Sequence, residues 1–348
     1  MKKKLIRSVF TILITFSILI VPLVSCSKPA AKTFTLRLAH FFPATHPAET
    51  VLVKQWAEAL DKATAGQVKI ESYPGESLLK APDIYNGVVE GVTDIGLSCF
   101  AYTPGRFPVL ESFELPGIVY QNSRSASMVA WEGIQTLNPK EVQDTHLLMV
   151  LATGPGDLFT KEPVKSLADL QAMEIRATGL SAETIKLLGG VPVGMPQSDT
   201  YDALSKGVVK GNLAPVEVLK GWKNAEVTDY ITKTPFLYNT LFFVTINKEI
   251  WASMPADLQK KVTDTTTKFH EDTAAGLWDM QNADAMKFAV DEQKMEIIEL
   301  SDEETQLWIE KVMPIQEAYK QKLAGLGLDV DPLKTVNELA AKYNKLYE

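Results

Sequence analysis

Apolar and polar residues alternate with two different periods between residues 33 and 98. Phe34, Leu36 and Leu38 occupy every second position, which predicts a half-buried strand. Apolar residues at helical spacing come next, and these are Val51, Leu52, Trp56 and Leu60. Two more short apolar runs begin at Val68 and just after Asp94. This succession of strands and helices favours a mostly parallel sheet with helices on its faces.

The same rhythm returns between about residue 150 and residue 240. Short apolar runs predict strands, at residues 147–151, 173–176, 191–194 and 211–215. Helical patterns lie between some of them, at residues 181–188 and 198–206. Residues 241–247, rich in Phe and Val, predict one more strand. The sequence therefore predicts a second α/β unit.

A helical pattern with no proline runs from residue 256 to about residue 293 and contains a single glycine, Gly276. Such a length is unusual for one helix of a globular protein. We expect either a kink or a helix that crosses both domains. A last helix is expected to begin at Asp331-Pro332, because proline is tolerated in the first turn.

Composition agrees with a folded chain of two domains. The 348 residues are 46% hydrophobic and 22% charged, which excludes a disordered or collagen-like protein. The net charge is −8, and without Lys2, Lys3, Lys4 and Arg7 it becomes −12, with 31 basic and 43 acidic residues. An acidic chain without a basic cluster is a poor candidate for binding nucleic acid or a polybasic contact with a membrane.

The first 25 residues have the pattern of a secretory signal peptide. Basic residues precede an apolar run over residues 9–24, which ends in Leu23-Val-Ser-Cys26. The alternative, a transmembrane anchor, is disfavoured because 16 positions are too few to span a bilayer. The ending resembles the bacterial lipobox, in which Cys26 would carry a lipid and residues 26–32 would be a tether. The chain would then be anchored outside the cytoplasm.

The two cysteines fit this interpretation. If Cys26 carries lipid, Cys99 has no disulfide partner and is expected to be a small buried apolar residue. A Cys26–Cys99 disulfide remains an alternative, but it leaves the lipobox unexplained.

Recognisable catalytic or cofactor motifs do not emerge from the sequence. The four histidines have no metal-ligand spacing, and no nucleophile elbow, phosphate-binding loop or dinucleotide-binding loop occurs. We therefore expect no cofactor, no metal and no enzymatic activity.

Arg176 is the residue with the strongest indication of function. It ends a predicted strand just before a helix, at the edge where ligands of α/β sheets bind, and its planar fork suits a carboxylate. A salt bridge between domains is the alternative. Aromatic residues also follow predicted strands, and they point to a cleft with aromatic walls, although core packing explains most of them. The aromatic residues concerned are Phe41, Phe42, Tyr102 and Trp222, and Phe242 lies on the predicted strand at residues 241–247.

Short segments along the chain carry a family resemblance by their order and spacing. They include Ala39-His-Phe-Phe-Pro43, Gly87-Val-Val-Glu-Gly-Val-Thr-Asp94, Glu162-Pro163, Ile175-Arg176, Gly189-Gly-Val-Pro192, Met195-Pro and Tyr201-Asp-Ala-Leu204. The chain resembles the extracytoplasmic solute-binding proteins of the tripartite ATP-independent periplasmic (TRAP) transporters, the DctP-like family. The match covers about residues 36–300.

The resemblance implies a two-lobed fold like that of type II periplasmic binding proteins, with crossing strands and a long helix that spans both lobes. Lobe I would comprise residues 33–152 and about 240–280. Lobe II and the C-terminal helices would comprise residues 153–239 and about 281–348. The resemblance also implies that Arg176 binds the carboxylate of the ligand.

Two departures from the family pattern limit the class of ligand that we expect. The asparagine that often assists the carboxylate is replaced by Ala214, and the stretch 154–157 lacks the arginine found in many members. We therefore expect a small monocarboxylate with an apolar or aromatic part. Aromatic acids, branched keto acids and pyroglutamate-like acids all remain open. Further expected ligand-binding residues are Gly154, Met195, Asn212 and Pro215.

The expected function is capture of an organic acid and its delivery to a separate TRAP-type membrane permease. A sensor module that feeds a signalling receptor is the alternative, and a secreted enzyme that uses the same cleft is a third, poorly supported one. Beyond the permease and the acid, the sequence implies contact with the membrane through the lipid anchor and no nucleic-acid partner.

Overall fold

The structure is a computed structural model that describes residues 32–328 and 330–348. The predicted signal peptide, Cys26 and most of the predicted tether lie outside the described residues. In the described part of the chain, no helix is both long and apolar enough to cross a membrane.

Eleven strands are present in the described residues. In chain order they are β1 (Phe34–His40), β2 (Val68–Tyr73), β3 (Ile95–Cys99), β4 (Thr145–Ala152), β5 (Gly156–Thr160), β6 (Glu174–Arg176), β7 (Val191–Val193), β8 (Gly211–Pro215), β9 (Tyr230–Thr232), β10 (Leu241–Asn247) and β11 (Glu296–Ile298).

Thirteen α-helices accompany these strands in the same part of the chain. In chain order they are α1 (Lys54–Ala63), α2 (Ile84–Val89), α3 (Ser123–Leu137), α4 (Leu167–Leu170), α5 (Leu180–Leu187), α6 (Gln197–Ser205), α7 (Val218–Gly221), α8 (Lys248–Ser253), α9 (Ala256–Asp272), α10 (Leu277–Lys287), α11 (Asp302–Val312), α12 (Pro314–Gly325) and α13 (Pro332–Leu346). Short 3₁₀ segments add single turns, at Ala81–Asp83, Phe100–Tyr102, Leu110–Glu114, Lys140–Val142, Asn224–Glu226 and Ala274–Gly276. Two π-helical turns flank longer helices, Ala48–Val53 before α1 and Phe288–Glu292 after α10.

The strands form two mixed sheets, which confirms the predicted α/β class and the two units. The first sheet has the order β2-β1-β3-β10-β4, and β10 is antiparallel to both of its neighbours. The second has the order β11-β9-β5-β8-β6-β7, in which β5 is antiparallel to β8 and β9. All seven residues of β10 are buried, as expected for a strand with partners on both sides and helices over its faces.

The chain crosses between the two sheets three times. The first crossing, from β4 to β5, takes only residues 153–155, and the second leads from β9 back to β10. The third runs from β10 through α8, α9 and α10 to β11. These crossings give the crossing strands and the long helical connection that the resemblance implies.

The predicted long helix is interrupted, as expected from its length. Helix α9 ends at Asp272, a 3₁₀ turn follows, and α10 begins at Leu277. At the break, Thr273 leaves the helical conformation with φ −128° and ψ −57°. The guanidinium group of Arg124 packs against Gly276, where an added Cβ would lie only 2.9 Å from Nη2. The break therefore lets α3 and the two halves of the connection pack closely.

The last helix begins at Pro332 with Asp331 as its N-cap, as the sequence predicts. It packs along α3, where the amide of Asn344 links to residues 119 and 121 and Lys342 pairs with Glu132. The C-terminal helix is therefore fixed to the helix that covers β4. The exact lobe boundaries given above stay a prediction.

Candidate functional site

The loops that follow strands of both sheets meet in one place. From the first sheet, Phe41 and Phe42 follow β1, and Tyr102 lies one turn beyond β3. From the second sheet, Arg176 is the last residue of β6 and Pro215 the last of β8. Strand ends converge at the same edges of parallel sheets, so side chains that are far apart in sequence come together here.

Arg176 lies at the centre of this region and is 2% exposed. Its Nε donates to the carbonyl of Met195 at 3.0 Å. Nη1 donates to Oδ1 of Asn212 at 3.5 Å, and Nη2 donates to the hydroxyl of Tyr102 at 3.4 Å. The two Nη contacts lie near the outer limit of a hydrogen bond.

All three acceptors of this guanidinium group are neutral. None of the ion pairs among the described residues includes Arg176, although the side chain is almost fully enclosed. Burying a cation without an anion costs several kcal/mol, on the order of the penalty for one desolvated ion. The site is therefore electrostatically prepared for an anionic group, and the planar fork of arginine favours a carboxylate. The interdomain salt bridge considered as the alternative role of Arg176 does not form.

A network of amides holds Asn212 in place beside Arg176. Nδ2 of Asn212 donates to Oδ1 of Asn224 at 2.9 Å and to Oε1 of Gln197 at 3.2 Å. With both amide donors used in this way, Oδ1 of Asn212 is turned towards the guanidinium group. All three amide residues are buried, so the network fixes the orientation of the arginine through its neighbour.

Aromatic rings form another wall of the site. The ring of Phe41 stacks on Trp222 with centroids 5.9 Å apart and on Phe242 at 6.3 Å. Tyr102 meets Phe41 edge to face at 5.4 Å. Phe42 lies beside Phe41 and stacks on it at 4.2 Å. These flat faces suit a planar apolar ligand better than a branched one.

The residues described above enclose a cavity of about 20 Å³. Its lining residues come from both sheets, and they are Phe41, Phe42, Cys99, Tyr102, Arg176, Thr178, Gln197, Pro215, Glu217, Val218, Trp222, Tyr238, Thr240 and Phe242. A volume of this size holds about one water molecule, so the walls must move apart to admit a ligand.

Burial keeps one thiol and two tyrosine hydroxyls around Arg176 protonated. It raises the pKa values of the Cys99 thiol and of the hydroxyls of Tyr102 and Tyr238 well above their usual range, although the nearby Arg176 opposes this shift. Both tyrosines therefore retain a proton that they can donate. Cys99 is a free, buried thiol, as the sequence predicts.

The structure brings together most of the residues expected from the sequence. Seven of them line the cavity, namely Phe41, Phe42, Tyr102, Arg176, Pro215, Trp222 and Phe242. Met195 and Asn212 contact Arg176 directly instead.

Gly154 lies outside this set of lining residues. Its φ is +72°, and an added Cβ would lie 2.7 Å from the backbone nitrogen of Ser123. Its N–H donates to Oδ1 of Asn239 at 3.0 Å. Gly154 therefore allows a close backbone approach at the first crossing between the sheets.

Several lining residues were not expected from the sequence, among them Gln197, Glu217, Tyr238 and Thr240. Tyr238 and Thr240 precede the antiparallel strand β10, so they reach the same edge as residues that follow parallel strands. Gln197 opens helix α6, and three residues separate it from the end of β7. The sequence signal for Tyr238 and Thr240 is their position just before a strand that runs antiparallel to its neighbours.

Within the ranges 32–328 and 330–348, no group of three or more His, Cys, Asp or Glu side chains could hold a metal ion. Two neighbouring hollows, of about 130 and 480 Å³, share residues such as Gly179 and Glu183 with each other. Neither contains the buried guanidinium group, so the cavity at Arg176 is the candidate ligand site.

Comparison with known proteins agrees with this geometry. Residues 38–322 match the DctP family, described as bacterial extracellular solute-binding protein family 7. The C4-dicarboxylate-binding periplasmic protein DctP of Rhodobacter capsulatus is 26% identical over 307 residues, which cover 85% of this chain and 90% of that protein.

Two solved structures are similar over nearly their whole length. A TRAP solute-binding protein from Rhodoferax ferrireducens, in complex with copurified benzoate, is 30% identical with a TM-score of 0.84, covering 91% of this chain and 100% of that one. A marine metagenome TRAP solute-binding protein specific for aromatic acid ligands, in complex with 3-hydroxybenzoate, is also 30% identical with a TM-score of 0.84. It covers 90% of this chain and 99% of that one.

The family match covers most of the chain, and the two similar structures share its architecture. The family is one of solute receptors rather than enzymes. The chain therefore belongs to bacterial extracellular solute-binding protein family 7, the DctP family, as a TRAP extracytoplasmic solute-binding protein with a two-lobed fold.

Proposed function

We propose that this protein captures an aromatic monocarboxylate outside the cytoplasm and delivers it to a TRAP-type membrane permease. The observation that carries the proposal is the buried guanidinium group of Arg176, which has only neutral acceptors and lies in a cavity walled by Phe41, Trp222 and Phe242. The cation pairs with the carboxylate, and the aromatic faces cover the apolar part.

Of the acids left open by the sequence, aromatic acids fit the site best. A pyroglutamate-like ring is not aromatic and would cover less of the stacked phenyl rings. A branched keto acid would leave part of the flat aromatic surface uncovered. The benzoate and 3-hydroxybenzoate bound by the two similar structures support the same choice.

The permease is proposed from family membership, since the chain contains a receptor fold and family 7 comprises extracellular solute-binding proteins. A sensor that feeds a signalling receptor would use the same ligand site. Crosslinking in intact cells distinguishes transport from sensing. Capture of a permease with the ligand-loaded protein would support transport, and capture of a signalling receptor would support sensing.

We also propose that Cys26 is lipidated and holds the protein on the membrane surface through residues 26–32. The motivation is the lipobox-like Leu23-Val-Ser-Cys26. The lobe boundaries proposed above are consistent with a first crossing at residues 153–155.

The ligand is tested by native mass spectrometry of the purified protein, followed by calorimetry with benzoate, pyroglutamate, a branched keto acid and succinate. We expect a copurified aromatic acid, or tighter binding of benzoate than of the other three. Tight binding of succinate with no measurable binding of benzoate would overturn the proposal.

A further inference from the structure

A carboxylate lies in the wall of the cavity besides the cationic Arg176. Glu217 is 3% exposed, and its Oε2 accepts from Nε2 of His46 at 3.1 Å. Their side chains are 4% and 0% exposed. The other oxygen, Oε1, makes no hydrogen bond with any described residue. One acceptor of a buried, hydrogen-bonded carboxylate is therefore left for a ligand.

An indole donor in the same wall also lacks a partner. Nε1 of Trp222 is enclosed but has no acceptor among the described residues. The indole ring lines the cavity and packs against the ring of His46, with centroids 5.8 Å apart. Since His46 contacts both Glu217 and Trp222, the unused acceptor and the unused donor flank one residue.

The chemistry of these two groups limits what can bind there. The enclosed indole N–H costs about 1–3 kcal/mol while it stays unpaired, and a hydrogen bond to a charged group is stronger than one between neutral groups, so a ligand that pairs with both Trp222 and Glu217 gains affinity. A hydroxyl group can donate to Glu217 and accept from Trp222 at once. An ammonium group can satisfy only Glu217, and a second carboxylate would meet the like charge of Glu217.

We infer that Glu217 and Trp222 form a hydroxyl-recognising subsite, so that the preferred ligand is a hydroxylated aromatic monocarboxylate. This inference rests on the proposed function, because it assumes that the carboxylate of the ligand pairs with Arg176. It adds a second polar contact at a defined part of the aromatic wall. It also gives a physical reason for discrimination against aromatic dicarboxylates.

The test compares benzoate with its three monohydroxy isomers on the full mature protein by calorimetry. We expect the best isomer to bind about 10- to 100-fold more tightly than benzoate, as befits a hydrogen bond to a charged group. The same ligands are then measured on Trp222→Phe, which removes the N–H, and on Glu217→Gln, which removes the charge. In each variant, the dissociation constant of benzoate divided by that of the best hydroxy isomer should fall to about three or less.

The ratio is compared within each variant, so a general loss of packing does not affect it. Trp251→Phe is the matched control, because that indole stacks on His146 at 4.0 Å, outside the residues that line the cavity. It should keep the wild-type ratio, and thermal unfolding should confirm that all three variants are folded.

Two results would overturn the inference while leaving the proposed function intact. One is wild-type protein that binds benzoate and all three isomers within twofold of one another. The other is an unchanged hydroxyl preference in both cavity variants. Failure of the wild-type protein to bind any of the four acids would instead overturn the proposed function, and the subsite with it.

Discussion

The hydroxyl of Tyr102 accepts hydrogen bonds from Nη2 of Arg176 at 3.4 Å and from the backbone N–H of Gln197 at 3.0 Å. Tyr102 follows a strand of the first sheet, whereas Arg176 ends β6 of the second sheet and Gln197 opens helix α6, which follows β7 of that sheet. One phenol therefore links the two halves of the molecule at the ligand cavity.

Tyr102→Phe should weaken binding of an aromatic acid by about 3- to 30-fold, because one hydroxyl is lost from between the sheets while the ring still packs on Phe41. Calorimetry with benzoate measures the change. Tyr201→Phe serves as the control, since that exposed hydroxyl pairs with Glu226. An equal loss in both variants would mean that Tyr102 acts only through stability.

Arg176→Ala should weaken binding by roughly 30- to several-thousand-fold, because truncating one partner of a buried, hydrogen-bonded charge pair costs ~2–5 kcal/mol. Arg176→Lys should recover only part of the affinity, since an ammonium group cannot reproduce the planar fork. Calorimetry on both variants gives the result, with thermal unfolding to confirm folding. Folded Arg176→Ala protein that binds within threefold of wild type would place the carboxylate elsewhere.

Ligand binding should make the protein more compact and give a negative heat-capacity change, because apolar walls from both sheets are buried against the acid. Small-angle scattering with and without ligand, and calorimetry at several temperatures, provide the two readouts. Arg176→Ala at the same acid concentration is the control and should remain unchanged. Identical scattering curves for free and saturated wild-type protein would contradict closure.

Cys26→Ala should yield protein without lipid, because only that thiol can accept a diacylglyceryl group in the sequence Leu23-Val-Ser-Cys26. Metabolic labelling with palmitate should mark wild type and not the variant. Cys99→Ala is the matched control and should be labelled like wild type, since Cys99 is buried. Equal labelling of all three proteins would disprove the lipid anchor.

The free energy of unfolding should fall as the pH rises from about 4.3 towards 8, because the buried carboxyl group of Glu114 resists losing its proton. Burial raises the pKa of Glu114 to about 8, while a carboxyl group in an unfolded chain has a pKa of about 4.3. In this interval the folded state binds a proton that the unfolded state has lost, so the free energy of unfolding decreases with rising pH.

Glu114→Gln tests this effect, because an amide oxygen can still accept from the N–H of Leu241, which now donates to Oε1 at 2.7 Å. The variant should lose less thermal stability than wild type between pH 5.5 and 8.5, by about 2 °C or more. Glu303→Gln, at an exposed helix start, is the control. Parallel pH profiles for wild type and Glu114→Gln would exclude the effect.

The positions of strand ends could be predicted from local patterns, and with them the part of the site that strand ends supply. Arg176 ends β6, Phe41 and Tyr102 come shortly after β1 and β3, and Phe242 lies in β10, whereas Trp222 follows the short helix after β8. The periods of these strands are visible in the sequence. The fold class followed from the same periods, because alternating strands and helices leave few architectures.

The rest of the site depends on contacts that no local pattern encodes. Asn212 was expected near the ligand, but its position beside Arg176 follows from the parallel register of β6 and β8. The side chain of Glu217 is held in position by its hydrogen bond to His46, which lies 171 residues away in the sequence. Loop conformation and register arise from tertiary packing, so these roles appear only in the folded chain.

The carbonyl of Met195, which accepts from Nε of Arg176, decides from which side an anion can approach. An arginine can hold a carboxylate along the edge that contains Nε or along the edge formed by Nη1 and Nη2. With Nε occupied, two parallel bonds can form only on the second edge, and they make the carboxyl group coplanar with the guanidinium group. A benzoate-type acid, whose ring is conjugated with its carboxyl group, is thereby oriented as a whole, whereas an arylacetate retains a rotation about its methylene.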